Sequence, residues 1–499
     1  LNEVLNVLEP DQWTTQPLID GNDTDSAIFY KSSRVTFLGQ SSFYPNPANH
    51  LRLVHVFRFR VAGYESAGAE FRIYACHLKA SQGYESQRLA ECIGIRDSLN
   101  ALPDGSCAFL MGDLNFYTQN SEPGYERLVG PLADNSGRLS DLLPAGAWHD
   151  GPGFAFYHTQ STCRSGGCAS GAATGGLDDR FDFTLPTYTL TTGQGLSVLP
   201  GTCIAVGNDG QHLNKAITET PVIPEGSDYA TALQLSSDHL PLRIDVQAPA
   251  MLAAADRLVF PTVIVGAPEV PVDLIVDNPA LPPADTLDCS VIAPTGFTAP
   301  PALTVPAQEL RRLPITLSTA QAGYRAGDLQ ISSDAPDSPL WQVSLSGHVL
   351  EHAMASLDSA SVVTELPVDF GDHAPGGFVP HPVAVHNFGF GPDQARLLVS
   401  SATFSGSERF SLAEPFEPVL VAGTPLEVTV IFDDGGLALD STFTARLTFT
   451  CADEPLPGAT SLPSVHVDLR ARLLGGESAT PGPVAPVVTR LYAPAPNPA

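Results

Sequence analysis

Positive charge is scarce in this chain. Over 499 residues, 25 Lys and Arg face 54 Asp and Glu, a formal net charge of −29, and the only lysines are Lys31, Lys79 and Lys215. So acidic a surface argues against a protein that coats anionic polymers, since that binding comes from Lys and Arg neutralising phosphates. No run of about 18 apolar residues occurs, so nothing reads as a membrane-spanning helix. Collagen-like, coiled-coil and integral-membrane readings are excluded. Cysteine is modest at eight, and no second Cys or His pair joins Cys163 and Cys168 at metal-ligand spacing. The tight Cys163-Arg-Ser-Gly-Gly-Cys168 loop instead reads as a disulfide, with free thiols as the alternative, and a disulfide implies an oxidising compartment. No secretory signal is visible; the chain begins at Leu1 rather than Met and reads as cut at its N-terminus.

What is present is enough to build cores. Hydrophobic residues make up 43%, and the length suits two to four domains at roughly 100–200 residues each. Residues 1–250 carry 15 basic and 27 acidic residues (−12), and residues 251–499 carry 10 and 27 (−17). The first half mixes elements. Val54–Arg60 and Phe71–Cys76 read as strands, Gln87–Leu99 as a helix, and Ala108–Met111 as a buried strand ending at Gly112. Leu1, Val4, Leu5 and Leu8 also have helical spacing.

Residues 250–474 lack helical periodicity and alternate instead, broken by Pro, Gly, Asn and Asp clusters. An internal repeat runs through them. Val272-Asp-Leu-Ile-Val-Asp-Asn278 matches Pro382-Val-Ala-Val-His-Asn387, and Leu313–Leu317 matches Leu426–Val430. Leu329–Asp334 matches Leu447–Asp453, and Val343–Leu345 matches Val467–Leu469. Two tandem all-β sandwiches follow, over 250–350 and 353–474, which resemble the Ig-like modules of secreted bacterial proteins. Residues 475–499 are a Pro/Ala-rich linker, and their ending resembles the approach to a further C-terminal module, a means of cell-surface attachment.

Four motifs in the first half carry chemistry: Cys76-His-Leu-Lys-Ala80, Gly112-Asp-Leu-Asn115, Asp178-Asp-Arg-Phe-Asp-Phe183 and Ser236-Ser-Asp-His-Leu-Pro241. Each sets Asp, Asn or His at the end of an apolar, strand-like run or within one, and strand ends in α/β folds converge on a crevice. Carboxylates, a carboxamide and imidazoles without paired Cys suit a hard cation such as Mg²⁺, or else Mn²⁺ or Ca²⁺. Taken singly, each motif has an ordinary reading: an Asp after a strand is a turn or capping residue, and a His beside a strand is structural. Arg88 and Arg180 read as ion-pair partners, Lys79 as a surface residue or a phosphate neighbour, and Asp209 and His212 as parts of a structural loop.

The ordered set resembles the endonuclease/exonuclease/phosphatase superfamily, over roughly residues 20–247. That resemblance implies a deoxyribonuclease I-like α/β four-layer sandwich in residues 1–248 that hydrolyses phosphoesters with a divalent metal. Position by position, it implies His239 as the catalytic histidine, Asp182 as the carboxylate orienting it, and Asp113 as the group polarising water. Asn115 would bond the phosphate, His77 would be the second histidine, with Asp25 behind it, and Asp238 would ligate metal. A complete member opens with a strand bearing an Asn and a second ending in a metal-binding Glu. Here only Glu3 stands for that Glu, on a segment of helical periodicity, so the N-terminal ligands read as missing.

The expectation is a secreted or cell-surface, metal-dependent phosphodiesterase, first of all an extracellular nuclease with nucleic acid as partner. The −12 charge of its first half keeps a phospholipid headgroup of the sphingomyelin kind, or a small phosphoester, as an alternative. The rival of another class is an inactive surface adhesion protein.

Overall fold

The computed structural model describes all residues except 167, 169–170, 437–439 and 476–499. Most of the segment read as a linker thus lies outside the described residues. In the first half, five strands form one mixed sheet in the order Val35–Phe43, Val54–Val61, Glu70–His77, Cys107–Asp113, Asp182–Pro186. All neighbours are antiparallel except Glu70–His77 with Cys107–Asp113, which run parallel. A parallel pair needs a crossover, and helix Glu85–Asn100 supplies it.

The strand Cys107–Asp113 is buried on both faces, as its unbroken apolar run requires. Ala108 and Leu110 pack with Cys92, Ile95 and Leu99 of that helix and with Tyr125 and Leu128 of helix Pro123–Val129. Cys107 and Phe109 pack on the opposite face against Leu190, Leu196 and Val198. Beyond that face the four-layer expectation is met only in part. Among the described residues, the second sheet is reduced to two-residue pairs, Ile204–Ala205 with Leu242–Arg243 and Ser197–Val198 with Val246–Gln247. Pro200, Gly201, Gly207, Gly210 and Pro241 interrupt this stretch, and such residues stop strands from lengthening.

The described residues beyond 250 form two β-sandwiches. The first packs the sheet containing Val272–Asn278 and Glu309–Leu317 on the sheet containing Gly323–Ser333 and Leu340–Leu350. The second repeats the scheme with His381–Asn387 and Leu426–Phe432 against Ser441–Asp453 and Val465–Leu473. In both, an early strand joins the last strand in parallel. The repeat extends to a buried side chain. Asn278 accepts from Met251 N–H at 3.0 Å and donates to the carbonyls of Asp285 and Val305. Asn387 accepts from Met354 N–H at 3.0 Å and donates to Ala395 and Val421.

Candidate active site

Strand register assembles the crevice. His77 lies opposite Asp113 across the parallel pair, and Asp113 lies opposite Asp182 across the next ladder. Residues directly opposite in a ladder share a face, so the three side chains stand in a row at one end of the sheet. Gly112 makes the row possible: its φ is +136°, and a Cβ there would sit 1.9 Å from the Cys76 carbonyl oxygen. Two residues on, Asn115 adopts φ +52°, a region that Asn tolerates better than most. Its N–H holds Asp113 Oδ1 at 2.9 Å, and its Nδ2 donates to the Leu78 carbonyl at 3.2 Å. One amide hydrogen of Asn115 is therefore committed to the protein, which leaves the other for a ligand.

His239 reaches the row from the loop after helix Ser227–Ser236. Its Nδ1 stands 2.6 Å from Asp182 Oδ2, and its Nε2 lies 3.9 Å from Asp113 Oδ2. His77 Nε2 lies 3.4 Å from the same Asp113 oxygen. One carboxylate thus faces two imidazoles, whose environments drive them apart. Burial lowers His77 to about 4, helped by the charges of Arg52 and His239. Burial also opposes a charged His239, but the Asp182 hydrogen bond and the charges of Asp182, Asp113 and Asp238 outweigh it and raise His239 to about 9. Burial, and then the Asp182 charge, push Asp113 up to about 7.

The other sequence-named residues fall less simply. Asp238 has one oxygen engaged, its Oδ2 accepting from Ala173 N–H at 2.8 Å with Gln160 Nε2 at 3.5 Å. Glu3 is exposed in the first turn of helix Asn2–Leu8, which buries none of its residues. Among the described residues no hydrogen bond or ion pair ties Glu3 to the row. Asp25 does not orient His77; it accepts from Gly21 N–H at 2.7 Å. Asp23, whose charge acts on His77, pairs at 2.7 Å with Arg52, whose guanidinium also donates to Leu78 O. Lys79 Nζ lies 4.3 Å from the Tyr84 ring centroid. Arg88 pairs with Glu122 and Arg180 with Asp141, both at 2.7 Å. His212 is buried between Asp209 and the Glu219 carbonyl.

Two residues of the crevice escaped the sequence reading. Arg52 had no signal beyond preceding an apolar strand. Gln160, whose side-chain amide ends 2.7 Å from His239 Nε2, sits in a polar loop with no motif at all. Among the described residues, no hydrogen bond or ion pair joins Glu3 to Asp238. Among the described residues, the one trio of carboxylate and imidazole ligand atoms within 4.8 Å of one another is elsewhere, at His149, Asp178 and Asp179.

No family model and no curated protein matches the chain. Solved structures with some likeness include TDP2 of D. rerio complexed with single-strand DNA product, at 12% identity, covering 49% of this chain and 81% of that one with a TM-score of 0.32. An endonuclease/exonuclease/phosphatase from Bacteroides vulgatus is 15% identical, over 49% and 80%, with a TM-score of 0.31. The human Nocturnin catalytic domain, with bound sulfate, is 17% identical over 50% and 78%, at 0.29. Each likeness spans about half of this chain. At these identities and scores they carry no argument about the substrate.

Proposed function

We propose that residues 1–248 hydrolyse phosphodiesters, with nucleic acid as the first substrate class, in a protein that works outside the cytoplasm. The observation that carries this reading is the single carboxylate, Asp113, set between two imidazoles of opposite tuning. Groups whose environments push their pKa values apart mark out acid and base roles. Asp113, poised near neutrality, takes the proton of the attacking water. As the new P–O bond forms, the bond to the leaving oxygen breaks. His239, protonated and held by Asp182, donates to the phosphate and passes its proton to the leaving oxygen. His77 stays neutral and faces the phosphate. With His239 charged, both its ring N–H groups donate, Nδ1–H to Asp182 and Nε2–H to the phosphate. A divalent cation supplies Lewis-acid stabilisation in such chemistry. Since the row lacks a converged ligand set, no step is assigned to one.

A disulfide joins Cys163 and Cys168, with Cα atoms 5.7 Å apart, and disulfides persist in oxidising compartments. The −12 charge of residues 1–250 favours a second reading, a phospholipid headgroup or small phosphoester, because duplex affinity needs basic residues. The chain is to be assayed on DNA, RNA, sphingomyelin and bis-p-nitrophenyl phosphate with Mg²⁺ or Mn²⁺. Turnover of any of them, abolished in His239→Ala, supports the reading, and the preferred substrate settles the class. Full activity in both His239→Ala and Asp113→Asn overturns it.

A further inference from the structure

We propose that His149, Asp178 and Asp179 form a divalent-cation site of the transition-metal class beside the crevice, separate from the residues of the row. One ligand atom from each lies within 4.8 Å of the other two. His149 Nδ1 and Asp179 Oδ1 approach to 2.5 Å, so a proton bridges them where a cation would sit. The ligands stand on a fixed frame. Trp148, fully buried, donates Nε1–H to the Phe116 carbonyl at 2.8 Å, and Asp150 N–H bonds the Asp178 carbonyl at 2.8 Å. Asp178 and Asp179 both bond the Gln160 carbonyl through their N–H groups, and Thr159 N–H bonds the Asp179 carbonyl.

Charge points the same way. Asp179 is only 8% exposed, and its side-chain partner among the described residues is the His149 imidazole, itself a metal-ligating group. Among the described residues, no Lys or Arg pairs with Asp178 or Asp179. The adjacent Arg180 is engaged by both oxygens of Asp141. Asp150, next to His149, adds a third carboxylate; its Oδ1 accepts from Asn214. One imidazole and two carboxylates, with positions left for water, suit Zn²⁺ or Mn²⁺ better than Mg²⁺, which prefers oxygen alone. The site is coupled to the crevice through Gln160, whose backbone lies on the same ladder and whose side chain meets His239. A cation there would stiffen that ladder and offset negative charge beside an incoming phosphate.

The test is calorimetric titration of the metal-free full chain with Zn²⁺, and separately with Mn²⁺, with circular dichroism to check folding. The wild type is expected to bind one equivalent that His149→Ala loses and that Asp178→Asn holds at least about tenfold more weakly. Asp238→Asn, a change in the crevice near His239, should keep that equivalent. If His149→Ala does not fold, Asp178→Asn decides alone. Unchanged affinity and stoichiometry in the folded variants overturn the proposal, as does a wild type that binds neither ion. Loss of the equivalent in Asp238→Asn overturns it too, because the ion then belongs to the crevice. No turnover is measured, so failure here leaves the hydrolase reading standing.

Discussion

A missing Cβ decides whether the crevice can form. At Gly112 both the positive φ and the Cys76 carbonyl at 1.9 Å from an added Cβ forbid a side chain, and the constraint falls one residue before Asp113. Gly112→Ala should therefore cost about 1–3 kcal/mol or more, read by denaturant unfolding, and should depress turnover beyond that loss by displacing Asp113. The His239–Asp182 pair makes a second prediction at this scale. With the His239 pKa near 9, above the ordinary 6.5, its charged form is favoured in the folded state. That contribution is complete below pH 6.5 and fades as pH rises through about 9. NMR titration of the metal-free chain should place His239 well above 6.5, and Asp182→Asn should lower it. The stability gap between the two proteins should close as pH climbs through that window. An unshifted imidazole in the wild type would contradict the assignment.

Elements explain what could be read from the sequence. The strands that hold His77 and Asp113 were legible because continuous apolar runs ending in polar residues have few other solutions, and helix Glu85–Asn100 was legible from its spacing. Register was not: nothing in the sequence shows that His77, Asp113 and Asp182 become neighbours across two ladders. Gln160 and His149 come from loops, whose placement depends on distant packing such as Trp148 against Phe183. The repeat was legible through shared alternation, and the matched Asn278 and Asn387 anchors are its strongest trace. Helix Glu85–Asn100 is fixed by Arg88, which pairs with Glu122 where neither side chain is exposed and also caps the Lys79 and Ser81 carbonyls. Glu122→Ala removes the buried partner of that guanidinium and leaves it only the part-exposed Glu85 carboxylate at 3.5 Å, which should cost about 3–5 kcal/mol. A volume-matched replacement of both partners by apolar residues should recover much of it, as thermal unfolding will show.

Across the whole molecule the three units are joined by more than chain. Tyr64 donates to the Pro249 carbonyl, and Asp337 accepts from Glu65 and Ser66 N–H at 2.8 and 2.7 Å, which ties the first unit to the first sandwich. Ile264, Leu350 and Ala395 are buried together between the sandwiches, where Ile264 N–H bonds the Pro457 carbonyl at 2.8 Å. Asp337→Ala should make the chain easier to cut by proteases near residues 246–251 while leaving turnover unchanged, since the residue lies in the first sandwich, far in sequence from the row. Each unit also conceals thiols: Cys76, Cys92, Cys107 and Cys203 in the first, Cys289 in the second, Cys451 in the third, all buried and free. Burial drives the Cys289 and Cys451 thiols up to about 11, so the folded protein should ignore thiol reagents. Three units with separately placed, silent sulfurs amount to three independent clocks: alkylation followed by peptide mapping will time, in one experiment, which unit opens first.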